Sequence, residues 1–311
     1  MRQVKLINMK QVFNNIGKTT FTNFLLSLLL CTIIGTTASA HPGSGIVVDK
    51  TGNVYIIDTG KGVWKIDFQG KLTYLPSSRF HWMGIDEIGN FANTPKNFGE
   101  FFERVTPKGT KPVIIICPEF PFTIGKDGNI YYADTRHAQG KIVRRTPDGK
   151  ETVIATNKVF PSINGIAAGM DGSIYITESS NPNANTIRKI NMNGTISIIA
   201  TYTGKNNNDT PLEATASYCR GLSADTMGNI YVAATGSRSI LKITPKGVVT
   251  TVLNVSSPWT PTAVTAFKGE LYIQEWHDVT AEKLEVREAW IPRVRKIGID
   301  GKITTLATVS R

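Results

Sequence analysis

Gly45-Ile46-Val47-Val48-Asp49-Lys50-Thr51-Gly52-Asn53-Val54-Tyr55-Ile56-Ile57-Asp58-Thr59-Gly60 is the stretch on which the fold turns. Two β-rich apolar runs flank a tight Lys-Thr-Gly-Asn turn, where glycine supplies positive φ without steric cost. The same glycine recurs at Gly89, Gly128, Gly172, Gly228 and Gly269, and a tyrosine stands three residues on at Tyr55, Tyr131, Tyr175, Tyr231 and Tyr272. The second repeat departs, with Ala92 at that place. A second glycine track, Gly70, Gly109, Gly149, Gly194, Gly247 and Gly301, precedes β-rich runs such as Thr195-Ile196-Ser197-Ile198. Six members in each track predict six repeats, and roughly 45 residues per repeat is the period of a four-stranded blade. The expected fold is therefore all-β, a six-bladed β-propeller with four antiparallel strands, A to D, per blade. The glycine tracks would mark the A–B and C–D turns. The last blade would be completed by 302–309, without a strand borrowed from the N-terminus.

Composition agrees. The 311 residues include 28 Gly and 15 Pro, and no long helix-period apolar run interrupts the β-rich pattern. Residues 1–40 are different: Arg2, Lys5, Lys10 and Lys18 with no acid, an apolar run over 24–34, then Ala38-Ser39-Ala40. This is the pattern of a signal peptide, and the apolar run is short for a membrane-spanning helix; an uncleaved anchor is the rival reading. Cleavage after Ala40 would leave 41–311 as the propeller domain, secreted or periplasmic, with no stable membrane span. It would lower the net charge from +11 to +7, since four basic residues and no acidic one are lost. Acidic polysaccharide or a membrane surface suits such a charge, while nucleic acid is not expected in that compartment. Cys117 and Cys219 would remain, separated by two blades in the repeat register and expected as free, buried thiols. The chain is expected to be a monomer.

The opening stretch resembles an NHL repeat almost residue for residue. Thr186-Ile187-Arg188-Lys189-Ile190, leading through Asn193-Gly194-Thr195 and Thr210-Pro211-Leu212-Glu213-Ala214 to Gly221-Leu222-Ser223-Ala224-Asp225, is similar to the bacterial version. The resemblance covers 41–311 and implies the propeller; for function it implies little, because such propellers include binding modules, scaffolds and a few enzymes. Ser162-Ile163-Asn164-Gly165 looks like the segment that supplies a metal-binding Asn in gluconolactonase-type propellers. Where that family has a metal-binding Asp this chain has Arg220, and Gly43-Ser44-Gly45 replaces its first acidic residue, so the resemblance implies that this metal site is missing. Peptide-amidating lyase, another NHL propeller, holds zinc with channel histidines, of which only His81 has a counterpart at the start of an A strand. Similarity to streptogramin lyase makes Glu275 and His277 the nearest equivalents of its His and Glu.

Strand direction places both tight turns of every blade on one face, a smooth floor, and the variable connections at 181–185, 204–218 and 275–292 on the other, where loops on a rigid scaffold carry function. His41, His81, His137 and His277 all fall on the loop face. They form the candidate divalent-metal group, since imidazole and carboxylate suit zinc and its neighbours; histidines on an exposed rim are the competing reading. Cleavage before His41 would also offer that residue's amine to a metal. Around the channel mouth the candidate ligand-binding residues are Arg220, Asn164, Trp82, Asp134, Arg136, Glu178, Glu275 and Trp276, polar groups with two aromatic rings fit for a small polar molecule, a carbohydrate or a peptide. Trp82 and Trp276 have a second reading as caps on the channel. Lys65, Arg104, Arg145, Lys189, Lys242 and Lys296 repeat on all six C strands, which favours stems packed along each blade over a ligand site. Two functional classes result: an exported binding module, or a metal-assisted lyase or hydrolase using the histidines.

Overall fold

The computed structural model describes residues 43–310 except 137, 159, 161–162, 182–183, 204–218, 280–282 and 284–285. The expected export segment, His41, His137 and the whole 204–218 loop lie outside these residues. No described helix is long and apolar enough to cross a membrane. Among the described residues, twenty-four strands form six four-stranded antiparallel sheets. Blade one is β1 (Ile46–Val48), β2 (Val54–Asp58), β3 (Gly62–Ile66) and β4 (Leu72–Leu75). Blade two is β5 (Trp82–Asp86), β6 (Asn97–Phe98), β7 (Phe102–Arg104) and β8 (Val113–Cys117). Blade three holds β9 (Phe122–Ile124), β10 (Ile130–Asp134), β11 (Gly140–Arg145) and β12 (Glu151–Asn157). Blade four holds β13 (Ile163–Ala168), β14 (Ile174–Asn181), β15 (Ala184–Ile190) and β16 (Ile196–Tyr202). Blade five is β17 (Cys219–Ala224), β18 (Ile230–Ala234), β19 (Ser239–Ile243) and β20 (Val249–Asn254). Blade six is β21 (Trp259–Phe267), β22 (Glu270–His277), β23 (Pro292–Ile297) and β24 (Ile303–Thr308).

Five blades run outward in chain order, and the second does not. Its order is β5-β8-β7-β6, which corrects the expectation that Gly89 closes an A–B hairpin. Asp86 explains the detour: its carboxylate accepts the N–H groups of Ile88, Gly89 and Phe91, winding the chain into a turn instead of a returning strand. Phe91 is then buried with Phe98 and Phe102 in stacked rings 5.5 and 5.7 Å apart. The second place in the sheet goes to β8, whose Val-Ile-Ile-Ile-Cys is buried throughout, as a central strand with both faces covered must be. Gly109 therefore turns the chain from β7 into β8.

All twelve glycines of the two tracks have φ between 72° and 91°. In blades one, three and five an Asp on the tight turn gathers the same partners: Asp49, Asp127 and Asp225 accept the amide of Asn53, Asn129 and Asn229 and the hydroxyl of Tyr55, Tyr131 and Tyr231. The repeated third-strand lysines lie over those tyrosine rings, with Lys65 5.9 Å from Tyr55 and Lys242 6.0 Å from Tyr231.

The six innermost strands, β1, β5, β9, β13, β17 and β21, pack in a closed ring. Blade six is complete within 259–308, and among the described residues no strand crosses the seam to blade one. Side chains close it instead. Thr262 Oγ1 and Trp276 Nε1 donate to the carbonyl of Gly43 at 2.9 and 3.1 Å, and Gln274 Nε2 donates to that of Ile57 at 2.6 Å. Cys117 and Cys219 are buried free thiols in blades two and five. Burial pushes Cys117 up to about 11 and Cys219 up to about 12, far from a reactive thiolate at neutral pH.

Candidate functional site at the mouth of the axial cavity

The ring of inner strands encloses a cavity of about 420 Å³ along the propeller axis. Its wall is apolar, with Val47, Met83, Phe122, Ile166, Leu222 and Val264 each drawn from a different blade. Hydroxyls of Thr123, Ser223 and Thr265 interrupt it within the strands, and further polar groups stand at the ends: Ser44 and Trp82 at the loop face, Lys50 and Glu87 at the turn face.

Three consecutive inner strands are irregular at their loop-face ends. The ladder of β13 with β14 slips between Ile163 and Gly165, that of β17 with β18 between Cys219 and Leu222, and that of β21 with β22 between Pro261 and Ala263. Each slip is a bulge, which leaves a residue outside the ladder and re-aims its side chain. The residues concerned are Asn164, Arg220 and Thr262. They are neighbours around the axis: a Cβ on Gly165 would stand 2.2 Å from the carbonyl oxygen of Arg220, and one on Gly221 3.1 Å from that of Thr262. Thr262 is spent on the seam, while Asn164 and Arg220 are half-buried, and the Asn164 amide donates to the Ser179 hydroxyl. Trp82 is likewise half-buried at the start of β5.

The remaining candidates are placed elsewhere. Asp134 is buried and holds Arg136 through two hydrogen bonds of 3.0 Å, while the guanidinium lies over Phe101 and Phe120 at 4.8 and 5.2 Å. Glu178 is buried and paired with Arg188 of its own blade at 3.1 Å. Glu275 is fully buried between Arg293, 2.6 Å away, and Arg295. Trp276 is also fully buried, packed with Val279 and Trp290 and bonded to Gly43, so it offers a ligand no face. His277 ends β22 with Nδ1 2.8 Å from the Asp278 carbonyl and its ring edge-on to Trp259 at 5.2 Å. His81 opens on the same face, its carbonyl accepting Ser44 N–H at 3.0 Å. Among the described residues, no three His, Cys, Asp or Glu side chains gather as a metal site.

Arg293 and Arg295 were not read from the sequence as partners of Glu275. Their alternation marks one face of a strand, but pairing Glu275 with Arg293 requires the register of β22 on β23. Burial, and the neighbouring Arg295, lower the pKa of Arg293 against the opposing pull of Glu275. Arg238 was missed for the same reason: it reaches across blades to Asp278 at 2.8 Å and to the Trp259 carbonyl at 2.9 Å.

No protein-family model matches the sequence, and no curated protein does. Solved structures match through shape. A streptogramin B lyase structure is 19% identical with a TM-score of 0.50, covering 88% of this chain and 85% of that one. The PQQ-bound form of aldose sugar dehydrogenase from Streptomyces coelicolor is 13% identical with a TM-score of 0.52, covering 76% of this chain and 89% of that one. The calcium-binding protein regucalcin from Agrobacterium tumefaciens is 14% identical at a TM-score of 0.50, covering 76% and 83%. At such identities the likeness shows the fold: this chain is a six-bladed propeller like these lyase, dehydrogenase and calcium-binding structures.

Proposed function

We propose that the protein is an exported propeller of the NHL-repeat kind that binds a small polar ligand, a carbohydrate or a peptide, at the loop-face mouth of its axial cavity. The observation that carries this reading is the run of three bulges in β13, β17 and β21. Bulges interrupt a ladder at a cost in hydrogen bonds, and here they set Asn164 and Arg220 on neighbouring strands at the rim of a cavity whose mouth also carries Trp82 and Ser44. An indole supplies stacking area, an amide and a hydroxyl supply directional hydrogen bonds, and a guanidinium can hold a carboxylate or a pair of hydroxyls bidentately. Export is supported by the basic, apolar and small-residue order of 1–40.

The test is thermal denaturation with a panel of neutral sugars, uronic acids and short peptides, on wild type and Arg220→Ala. One ligand class should raise the melting temperature of the wild type and not of the variant, whose own stability should change by less than about 0.5 kcal/mol because the arginine is only half-buried. An equal shift in both proteins would move the site away from the bulges. Stoichiometric zinc in protein purified without an affinity tag would replace this reading with the metal-assisted lyase or hydrolase. A mature N-terminus other than His41 would displace the cleavage site.

A further inference from the structure

The turn face is not the smooth floor expected from the sequence. Tight turns are small and polar by habit, yet here many carry a large apolar residue at the tip. Phe68, Met227 and Ile299 are 82, 79 and 79% exposed, and Ile88, Met170 and Met192 are exposed on other turns of the same face. Exposed single hydrophobic residues are ordinary, but this set is confined to the tight turns, with Ile88, Met170 and Met227 beside glycines of the first track and Phe68, Met192 and Ile299 beside glycines of the second. That the turns share a face is shown by their contacts. Lys50 N–H donates to Glu87 at 3.0 Å, Asn90 to the Gly128 carbonyl at 3.3 Å, Lys126 to that of Met170 at 2.9 Å, and Lys268 to that of Lys50 at 3.2 Å.

Both signs of charge are exposed on this face, with Asp127, Asp148, Asp171 and Asp300 among the acids, but they differ in reach. The aspartates of the turns are folded back on their own backbone: Asp67 accepts Gln69 and Lys71 N–H at 2.9 Å each, Asp225 accepts Met227 and Asn229 N–H, and Asp300 accepts that of Lys302. The lysines among the tips, Lys50, Lys126 and Lys268 near the axis and Lys71, Lys246 and Lys302 further out, are all exposed. Lys246 also lines a groove of about 290 Å³ between blades four and five, beside the turn that follows Met227.

We propose that this face docks on an anionic lipid surface, with the apolar tips entering the interface and the lysines meeting the headgroups. Discrete apolar points alternating with flexible cations suit a fluid surface of acyl chains and phosphates. A second copy suits it less, because face-to-face pairing would set Lys50, Lys126 and Lys268 against their own kind. Strand addition has nothing to join, since the turn N–H groups already bond within the turns, as Gly52 does to Asp49 at 2.9 Å. Docked in this way, the bulged mouth faces away from the lipid, open to solvent.

The apolar run at 24–34 would itself bind lipid in the full chain, so the test reads which face meets the bilayer. Met227→Trp, Phe68→Trp and, on the loop face, Val286→Trp are compared with wild type on vesicles of equimolar phosphatidylglycerol and phosphatidylcholine, carrying brominated acyl chains as quencher. The added emission of Met227→Trp and Phe68→Trp should shift to the blue and be quenched, and that of Val286→Trp should not. Replacing Lys50, Lys246 and Lys302 together with alanine in Met227→Trp should remove most of the quenching at 227 on the same vesicles, while thermal melts confirm folding. Water-exposed emission at 227 and 68 on bound vesicles overturns the proposal. So does equal quenching on phosphatidylcholine alone, or shielding of the same tryptophans by a soluble acidic polysaccharide and not by vesicles.

Discussion

Two glycines of blade four serve opposite purposes. Gly172 sits at φ 83° in a tight turn with the nearest side-chain atom 3.6 Å from where a Cβ would stand, so its requirement is conformational. Gly165 has ordinary φ, and its requirement is space, because a Cβ would lie 2.2 Å from the Arg220 carbonyl and 2.8 Å from Leu222. Gly172→Ala should lower stability by about 1 kcal/mol. Gly165→Ala should cost roughly 2 kcal/mol or more and disturb the mouth, since the colliding carbonyl is backbone and can only move with its strand. Urea midpoints check the order; equal losses would contradict it. Only one of these roles was legible in the sequence. Turn glycines repeat in register and can be read from spacing, whereas Gly165 has meaning only beside a residue 55 positions away, which one chain read alone does not reveal.

At the scale of strands, the central pair of blade six is tied by an ion triplet: Glu275 of β22, fully buried, between Arg293 and Arg295 of β23. Arg293 also stacks over Trp259 at 3.9 Å, so the triplet fastens three strands. Glu275→Gln would leave two half-buried guanidinium groups facing each other without the carboxylate, and should cost roughly 3 kcal/mol. Hydrogen exchange should localise the loss to blade six; an unchanged melting temperature would show that solvent satisfies the arginines. Six repeats announced six blades, and the strand order of five was legible because Gly and Tyr recur with the turn. Blade two escaped because its signal is negative: Ala92 fills the tyrosine's place, and the all-apolar 113–117 claims the second position only through burial, a property of the assembled sheet.

For the whole molecule, the recurring Asp-Asn-Tyr group makes stability depend on pH at both ends. Burial disfavours the charge on Asp49 and Asp127, but hydrogen bonds from Asn53 and Asn129 and from the tyrosines outweigh it, so both carboxyls lie below the ordinary 3.8. Depressed in the fold, they contribute stability that is complete above the unfolded value and lost as pH falls through the folded one. Burial and the bond to Asp127 push Tyr131 up to about 12, and Tyr55 and Tyr272 are raised in the same direction by burial and their carboxylate partners. Raised groups contribute stability that is complete below the unfolded value near 10 and lost as pH climbs toward the folded one. Urea midpoints should stay level from about pH 5 to pH 9 and decline on both sides; a midpoint still rising at pH 11 would contradict the alkaline limb.

The seam between blades six and one is made of side chains laid on carbonyls, and no sheet is shared across it. In that respect it is like every other junction in the ring, where neighbouring sheets touch but never exchange a strand. Residues 76–81, six in number, suffice to carry the chain from the outer edge of one blade to the axis of the next. A span of that length from 310 to 43 would make the polypeptide a circle without altering any sheet. The propeller thus has a cyclic order and no structural first blade: its beginning could be moved to another inter-blade connection, and the same contacts would be written in a different sequence.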